Sequence, residues 1–131
     1  MVQTPENEKL TINLGFVDLG HIDLLVQNGF YANRSDFIRT AIRNQINAHV
    51  DVTKQAATHL KLELGLRHFS REDLEAVKVK GEHLNIRVLG LATIADDVSP
   101  ELALATIASL TVLGALHAPS AVKSALANRL K

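Results

Sequence analysis

The 131-residue chain contains no cysteine and no tryptophan, and it has only one tyrosine and four phenylalanines. Without cysteine there is no disulfide framework, no thiolate metal site and no cysteine nucleophile. The scarcity of aromatic rings also argues against a surface that stacks the bases of single-stranded nucleic acid. These absences leave binding, or chemistry that uses only oxygen and nitrogen groups.

An excess of one charge sign and long apolar runs are also lacking. Fourteen Lys and Arg residues balance fourteen Asp and Glu residues, so net charge indicates no acidic partner. No stretch approaches the roughly 18 apolar residues that predict a membrane-spanning helix. The polar and acidic first residues are unlike a signal peptide. We therefore expect a cytoplasmic protein with no membrane partner.

Catalytic and cofactor motifs are missing as well. The sequence has no glycine-rich phosphate loop and no G-x-S-x-G nucleophile elbow. Its six histidines form no H-x-H or H-x₃-H pair, which disfavours metal sensing. The adjacent Asp96 and Asp97 are typical of a turn before Pro100, because neighbouring loop residues cannot fix the separation of two carboxylates. We expect no enzyme activity, no cofactor and no metal.

The chain divides by pattern into four parts, and its 47% apolar composition is that of a folded protein. We expect a mostly α-helical fold with short strands. The predicted parts are a polar arm at residues 1–8, an ordered N-terminal unit at 9–50, a helical connector at 51–81, and a small α+β or repeat-like domain at 82–131.

Polar and apolar side chains alternate strictly along residues 9–14, and a period of two predicts a short strand. Its apolar face would hold Leu10, Ile12 and Leu14, and its polar face Lys9, Thr11 and Asn13. Two helices are predicted next, the first capped by Asp18 and ending at Gly29, the second capped by Asn33 with Asp36 as its capping-box partner.

A single strand followed by two helices has no neighbouring strand with which to pair. Its unpaired backbone groups would be costly if buried and prone to aggregation if exposed. A second copy of the chain solves this problem, because two identical strands can pair antiparallel about a two-fold axis. The result is a two-stranded ribbon with one apolar face, covered by four helices, and one polar face.

A two-stranded ribbon fits the major groove of DNA, where Lys can donate to guanine, Asn can bind adenine and Thr can contact thymine. The polar face is therefore a candidate base-reading surface formed by Lys9, Thr11 and Asn13 of each chain. Phosphates need amides and positive charge, which the start of the second helix supplies. The candidate phosphate-binding residues are Asn33, Arg34 and Ser35.

The segment KLTINLGFVDLGHIDLLVQNGFYANRSDFIRTAIRNQI, about 40 of the 131 residues, resembles the ribbon-helix-helix superfamily of the MetJ/Arc/CopG type. The resemblance implies an obligate dimer that inserts its ribbon into the major groove of double-stranded DNA and commonly represses transcription. It also implies the same base-contacting and phosphate-contacting residues. Many such domains are basic, whereas residues 1–50 carry one more acid than base, so non-specific affinity should be modest.

The second half shows an approximate repeat. Ser70 to Asp73 has the spacing of a capping box, and residues 84–90 resemble residues 108–114 at an offset of 24. Each copy is predicted to be a strand, a Gly turn, a bend containing proline and a short helix, with Ser99 and Pro100 starting one helix. Because stacked repeats usually need three copies, this half should either form a compact unit or stack on other subunits into an oligomer larger than a dimer.

These patterns predict a sequence-specific DNA-binding transcriptional regulator of the repressor type, dimeric through its N-terminal strand and able to assemble further through its C-terminal oligomerisation domain. An antitoxin, or a plasmid-partition or architectural DNA-binding protein, would use the same N-terminal unit. A self-assembling scaffold, in which the repeats stack and DNA is incidental, is a third interpretation.

Overall fold

The computed structural model describes residues 7–131, which form two compact units, residues 7–55 and 56–131. Of the predicted polar arm at residues 1–8, residues 1–6 lie outside the described part. The helices are α1 (Phe16–Gln27), α2 (Arg34–Ala48), α3 (Val50–His59), α4 (Arg71–Val79), α5 (Pro100–Thr106) and α6 (Ser120–Ala125). The strands are β1 (Glu63–Phe69), β2 (Leu84–Ile94) and β3 (Ile107–His117), and a 3-10 turn follows at Ala127–Arg129.

The first unit contains α1 and α2, and its elements begin and end close to where the sequence predicts. Helix α1 starts three residues earlier than expected, with Gly15 at the N-cap, so the prediction that Asp18 caps it is wrong. Asp18 instead lies in the first turn, where its negative charge faces the positive end of the helix dipole. At the other end Gly29 has φ 82°, and the amides of Gly29 and Phe30 donate to the carbonyls of Val26 and Leu25. This arrangement is the predicted glycine C-cap.

The strand predicted at residues 9–14 is not a strand in the single chain. Residues 7–15 have no regular secondary structure, and their side chains are exposed. A strand is defined by the backbone partner to which it is hydrogen-bonded, and the partner predicted for this segment is a second chain. One chain alone therefore does not form the predicted ribbon.

The second unit is a three-stranded parallel sheet in the order β1-β2-β3, with a helix following each strand. The fold is thus mixed α and β, with strands longer than the short ones expected. The prediction of a purely helical connector at residues 51–81 is wrong, because Glu63–Phe69 forms β1 and pairs with β2. This sheet is parallel and lies outside residues 9–14, so it is distinct from the predicted antiparallel ribbon.

The repeat at offset 24 is the register of two neighbouring strands. Asn85 pairs with Ser109 and the pairing continues to Gly90 with Gly114, each pair 24 residues apart. The helices follow as predicted, because the Ser99 hydroxyl accepts from the amide of Leu102 and Pro100 opens α5. A third copy, β1 with α4, precedes these two, and Ser70 and Asp73 form the expected capping box at its helix.

Three glycines, Gly65, Gly90 and Gly114, lie side by side across the sheet, and each has a positive φ. A Cβ atom on Gly90 would overlap the carbonyl oxygen of Gly65, and one on Gly114 would overlap that of Gly90. The backbones therefore approach more closely at this row than any side chain would allow. The glycine row fixes the register of the three copies.

The core of this unit lies between the sheet and its helices. It includes fully buried side chains from every layer, among them Leu74 of α4, Val88 of β2, Leu110 of β3 and Val122 of α6. None of the helices in residues 7–131 combines the length and apolar character needed to span a bilayer.

Candidate nucleic-acid interface

The residues predicted to read bases lie in the irregular segment before α1. Lys9, Thr11 and Asn13 are all exposed, and none of them makes a side-chain hydrogen bond or ion pair within residues 7–131. Their polar groups are therefore free to bind a ligand. Leu10 and Ile12, which alternate with them, are 77% and 57% exposed, so the apolar face of this segment is uncovered in one chain.

An apolar groove lies between this segment and the two helices of the first unit. It has a volume of about 590 Å³ and is open to solvent. Its walls combine the predicted apolar face of residues 9–14 with apolar side chains of α1 and α2. The main apolar lining residues are Ile12, Leu14, Ile22, Phe37, Ile38 and Ile42.

The first unit has very little core of its own. Within residues 7–55 only Ile22, at 5% exposure, is a buried side chain. A unit of this size buries a smaller fraction of its surface on folding than a larger domain does. One buried side chain is too little to stabilise two helices. The groove is therefore a surface that requires an apolar partner.

The start of α2 is fixed by local hydrogen bonds. The Asn33 side-chain oxygen accepts from the amide of Asp36 at 2.8 Å, which confirms the predicted N-cap. The Asp36 carboxylate accepts from the amide of Ala32 at 2.9 Å, one residue before the position of a standard capping box. Tyr31 packs edge-on against Phe37, with ring centroids 5.0 Å apart. The turn into α2 is thus held from both sides.

Two amides at this helix start remain available. The Phe37 amide donates to the Asn33 carbonyl, which is the first backbone hydrogen bond of α2. The Asp36 amide donates to the Asn33 side chain. The amides of Arg34 and Ser35 precede them, and within residues 7–131 they have no hydrogen-bond partner. Together with the helix dipole and the exposed Ser35 hydroxyl, they can bind an anion.

Arg34 is bound to a residue that the sequence reasoning did not single out. Its Nε and one terminal nitrogen donate to the two oxygens of Asp23 in α1, at 2.7 and 2.8 Å. These hydrogen bonds lower the pKa of Asp23 and raise the pKa of Arg34. Both side chains are about half exposed, so the pair can open toward solvent. The separation of eleven residues, across a turn, gave no local signal for this contact.

Positive charge near the interface is limited. Arg39 and Arg43 are exposed on α2 and make no ion pair within residues 7–131. Across residues 7–55 the five Lys and Arg residues are balanced by five Asp and Glu residues, so contacts with DNA must come from a few placed groups. In the described part of the chain, no three His, Asp or Glu side chains are arranged to hold a metal ion.

Comparison with known proteins places this arrangement in a family. A model of the ribbon-helix-helix transcriptional regulator family matches residues 5–123. Since the match covers most of the chain, the protein belongs to the ribbon-helix-helix transcriptional regulator family. Such regulators bind DNA and are usually dimeric. No curated protein and no solved structure matches the chain.

The family match reaches beyond the segment on which the resemblance was first noted. It continues through β3 and into α6, so the second unit belongs to the matched region and is not an unassigned addition. The resemblance noted from the sequence covered only about 40 residues, because the apolar repeats of the second half carry no polar motif that points to a function.

Proposed function

We propose that the protein is a sequence-specific DNA-binding repressor that reads the major groove with a β-ribbon formed by residues 9–14 of two chains. In the dimer the two segments pair antiparallel about a two-fold axis, and their apolar side chains fill the grooves between the helices. Lys9, Thr11 and Asn13 of each chain contact base edges. Asn33, Arg34 and Ser35 contact phosphates on either side.

The observation that carries this proposal is the open apolar groove beside an exposed segment, residues 7–15, that has no regular secondary structure in one chain. Groove and segment are both unsatisfied in one chain, and a second copy satisfies both at once. Pairing also turns the three polar side chains of each segment to one solvent face. That face has Lys, Thr and Asn groups and no carboxylate, which suits the hydrogen-bonding pattern of the major groove.

The start of α2 supports the phosphate-binding role. Two available amides, a hydroxyl and a guanidinium occur within consecutive residues, and a phosphate bound there would fix the ribbon in the groove. The Asn33 side-chain oxygen accepts the capping hydrogen bond, which holds the two amides in place and leaves the side-chain NH₂ group of Asn33 to donate to a phosphate. Arg34 must release Asp23, or share it, to reach a phosphate.

The alternative interpretations predict other uses of the second unit. An antitoxin usually binds its toxin with a tail that is disordered alone, whereas residues 84–117 here form two paired strands with a helix between them. A self-assembling scaffold would use stacking of the repeats and would not need the polar face of residues 9–14. Sequence preference in DNA binding separates a scaffold from a repressor, and co-purification of a small toxin protein would identify an antitoxin.

The experiment selects binding sites from random duplex DNA with the full chain and then compares variants on the selected site. Asn13→Ala should weaken binding to that site by about 1–3 kcal/mol and relax the preference at one base position, with non-specific binding unchanged. Arg34→Ala should weaken binding to all sequences and reduce the salt dependence by about one ion per contact.

Asn44→Ala, an exposed substitution on α2, is the matched control and should bind like the parent chain. Selection of two-fold symmetric sites supports the paired ribbon. The proposal fails if no sequence is enriched, or if Asn13→Ala and Asn44→Ala have equal effects.

A further inference from the structure

Strand β1 lies at an end of the parallel sheet and is hydrogen-bonded on one side only. Its outer edge carries a row of backbone groups that no other strand in residues 7–131 covers. Such an edge is a template for pairing with another chain unless it is protected. Gly65 is the last glycine of the row, and a Cβ atom on it would meet nothing within 4 Å, so no backbone lies close to β1 on this side.

The opposite edge of the sheet, on β3, is covered at one position by the C-terminal residues. Leu130 forms a bridge to Leu110 of β3, and the amide of Lys131 donates to the Leu110 carbonyl at 2.9 Å. Terminal repeats of stacked proteins commonly carry such a covering segment. Because the C-terminal residues occupy the outer edge of β3 at Leu110, the β1 of a second molecule would have to displace them to pair along the whole of β3. Within residues 7–131 no strand or bridge lies on the outer edge of β1, so pairing of β1 with another β1 meets no such obstacle.

Side chains along β1 differ from those at equivalent positions of the other strands. Glu63 pairs in register with the buried Val88, and Arg67 pairs with the buried Ala92. Two charged residues thus stand where the neighbouring strand supplies core residues. They form a salt bridge with each other at 3.1 Å, spanning Gly65. On the alternate positions Leu64 and Leu66 are 83% and 61% exposed.

This pattern is self-complementary when the strand is reversed. An antiparallel pair of β1 strands centred on Gly65 places Glu63 opposite the Arg67 of a second copy, and Leu64 opposite its Leu66. Opposite charges and apolar groups directly across an antiparallel pair stabilise it, whereas like charges destabilise it. No position from 63 to 67 faces a like charge in this register.

We propose that β1 is an interface between two copies of this chain, paired antiparallel about a two-fold axis at Gly65 to form a continuous six-stranded sheet. The leucines of both copies form one apolar cluster on one face. The two Glu–Arg pairs exchange partners across the interface on the other. This interface is separate from the ribbon and does not depend on DNA binding, so it gives the regulator a second contact between subunits.

Disulfide trapping tests the register in the full chain, which has no cysteine of its own. Leu64→Cys and Leu66→Cys chains, carrying different affinity tags, are co-expressed and treated with a mild thiol oxidant. Directly opposed Cβ atoms lie roughly 4.5–5.5 Å apart, close to disulfide range. The two introduced thiols should therefore join one chain of each kind.

Each cysteine variant expressed alone is the matched control. In the proposed register two copies of the same variant place their thiols on diagonal positions, roughly 7–8 Å apart, which is too far for a bond without backbone movement. The expected result is a crosslinked dimer in the mixture and its loss in either variant alone. Equal crosslinking in the single variants, or none in the mixture, overturns the proposal.

Charge reversal then tests the exchanged ion pairs. Glu63→Arg in both cysteine chains should abolish the crosslink, because like charges then face each other. Glu63→Arg in one chain and Arg67→Glu in the other should restore it, although each chain has then lost its internal salt bridge. The control is the salt bridge between Arg71 and Glu75 on α4. Glu75→Arg in both chains, or Glu75→Arg in one chain and Arg71→Glu in the other, changes the net charge by the same amount and should leave the crosslink yield unchanged. An equal response to the strand and helix exchanges contradicts pairing through β1.

Discussion

The guanidinium of Arg34 donates two hydrogen bonds to the carboxylate of Asp23, and so joins the start of α2 to the middle of α1. Arg34 is also the residue proposed to bind DNA phosphate. The two roles compete, because a guanidinium held by a carboxylate offers fewer donors to a second anion. We therefore expect Asp23 to set how readily Arg34 turns to DNA, and the sequence pattern alone gave no sign of this contact.

Replacing Asp23 with Asn should strengthen DNA binding. The substitution removes the charge that holds Arg34, so the guanidinium can turn to a phosphate without breaking an ion pair. We expect affinity to rise several-fold for the selected site and for unrelated sequences alike, because phosphate contacts carry no sequence information. Binding isotherms on both kinds of duplex, at several salt concentrations, measure this effect.

The control for that prediction is Asp51→Asn, which removes the same charge from an exposed helical position of the first unit outside the groove and has no contact with Arg34. A gain caused by net charge alone would appear in both variants. If Asp51→Asn raises affinity as much as Asp23→Asn does, the specific role of the Arg34 pair is excluded.

Acid should destabilise the second unit partly through Asp73. The Ser70 amide donates to the Asp73 carboxylate at the start of α4, and this hydrogen bond, together with the adjacent Ser70 side chain, holds the pKa of Asp73 below its ordinary value. A carboxyl group with a lowered folded pKa stabilises the fold above its unfolded value, about 3.9, and this contribution is lost as the pH falls through the folded pKa.

Urea unfolding at a series of pH values checks this dependence. Asp73→Asn, which cannot titrate, should show a shallower loss of unfolding free energy below about pH 4 than the parent chain. Glu72→Gln removes a carboxylate from the same helical turn that is not part of the capping box, and it should change the acid response less. The reverse order of the two variants would exclude Asp73 as the titrating group.

Local signals predicted the elements that depend on local chemistry. The caps at Asn33, Ser70 and Ser99, the glycine end of α1 and the register of β2 with β3 all follow from side chains or repeats within a short stretch. Strand β1 was missed because Glu63 and Arg67 interrupt the apolar pattern of its repeat, and because its offset from β2 is 25 rather than 24. An end strand carries charges where interior strands carry core residues, so its periodicity is weakened.

The candidate site divides in the same way. The residues at the start of α2 could be predicted because capping has a sequence signature. The pairing of residues 9–14 remains a prediction, since backbone partners from a second chain are not contained in one chain's fold. The Asp23 contact could not be predicted, because it depends on how two helices pack and not on their spacing in the sequence.

The glycine row makes a graded prediction about the stability of the second unit. Replacing Gly65 with Ala costs the strain of a positive φ, roughly 1–2 kcal/mol, in otherwise open space. Replacing Gly90 with Ala adds an overlap with the backbone of β1 that can be relieved only by separating the strands. Gly90→Ala should therefore be markedly less stable than Gly65→Ala in urea. Equal losses would show that close contact between the strands contributes nothing beyond the φ requirement.

The apolar groove predicts that folding of the first unit is coupled to dimerisation. Ile42 lines the groove on α2, and Ile42→Glu would bury a charge against the second chain, whereas Val17 is 75% exposed and lies outside the groove. Ile42→Glu should abolish DNA binding and lower helix content, because an unpaired buried charge is far more costly than the contact it replaces. Val17→Glu should retain both properties. Circular dichroism and gel shift of the two variants decide the matter, and if Ile42→Glu retains DNA affinity, the groove is not where the second chain packs.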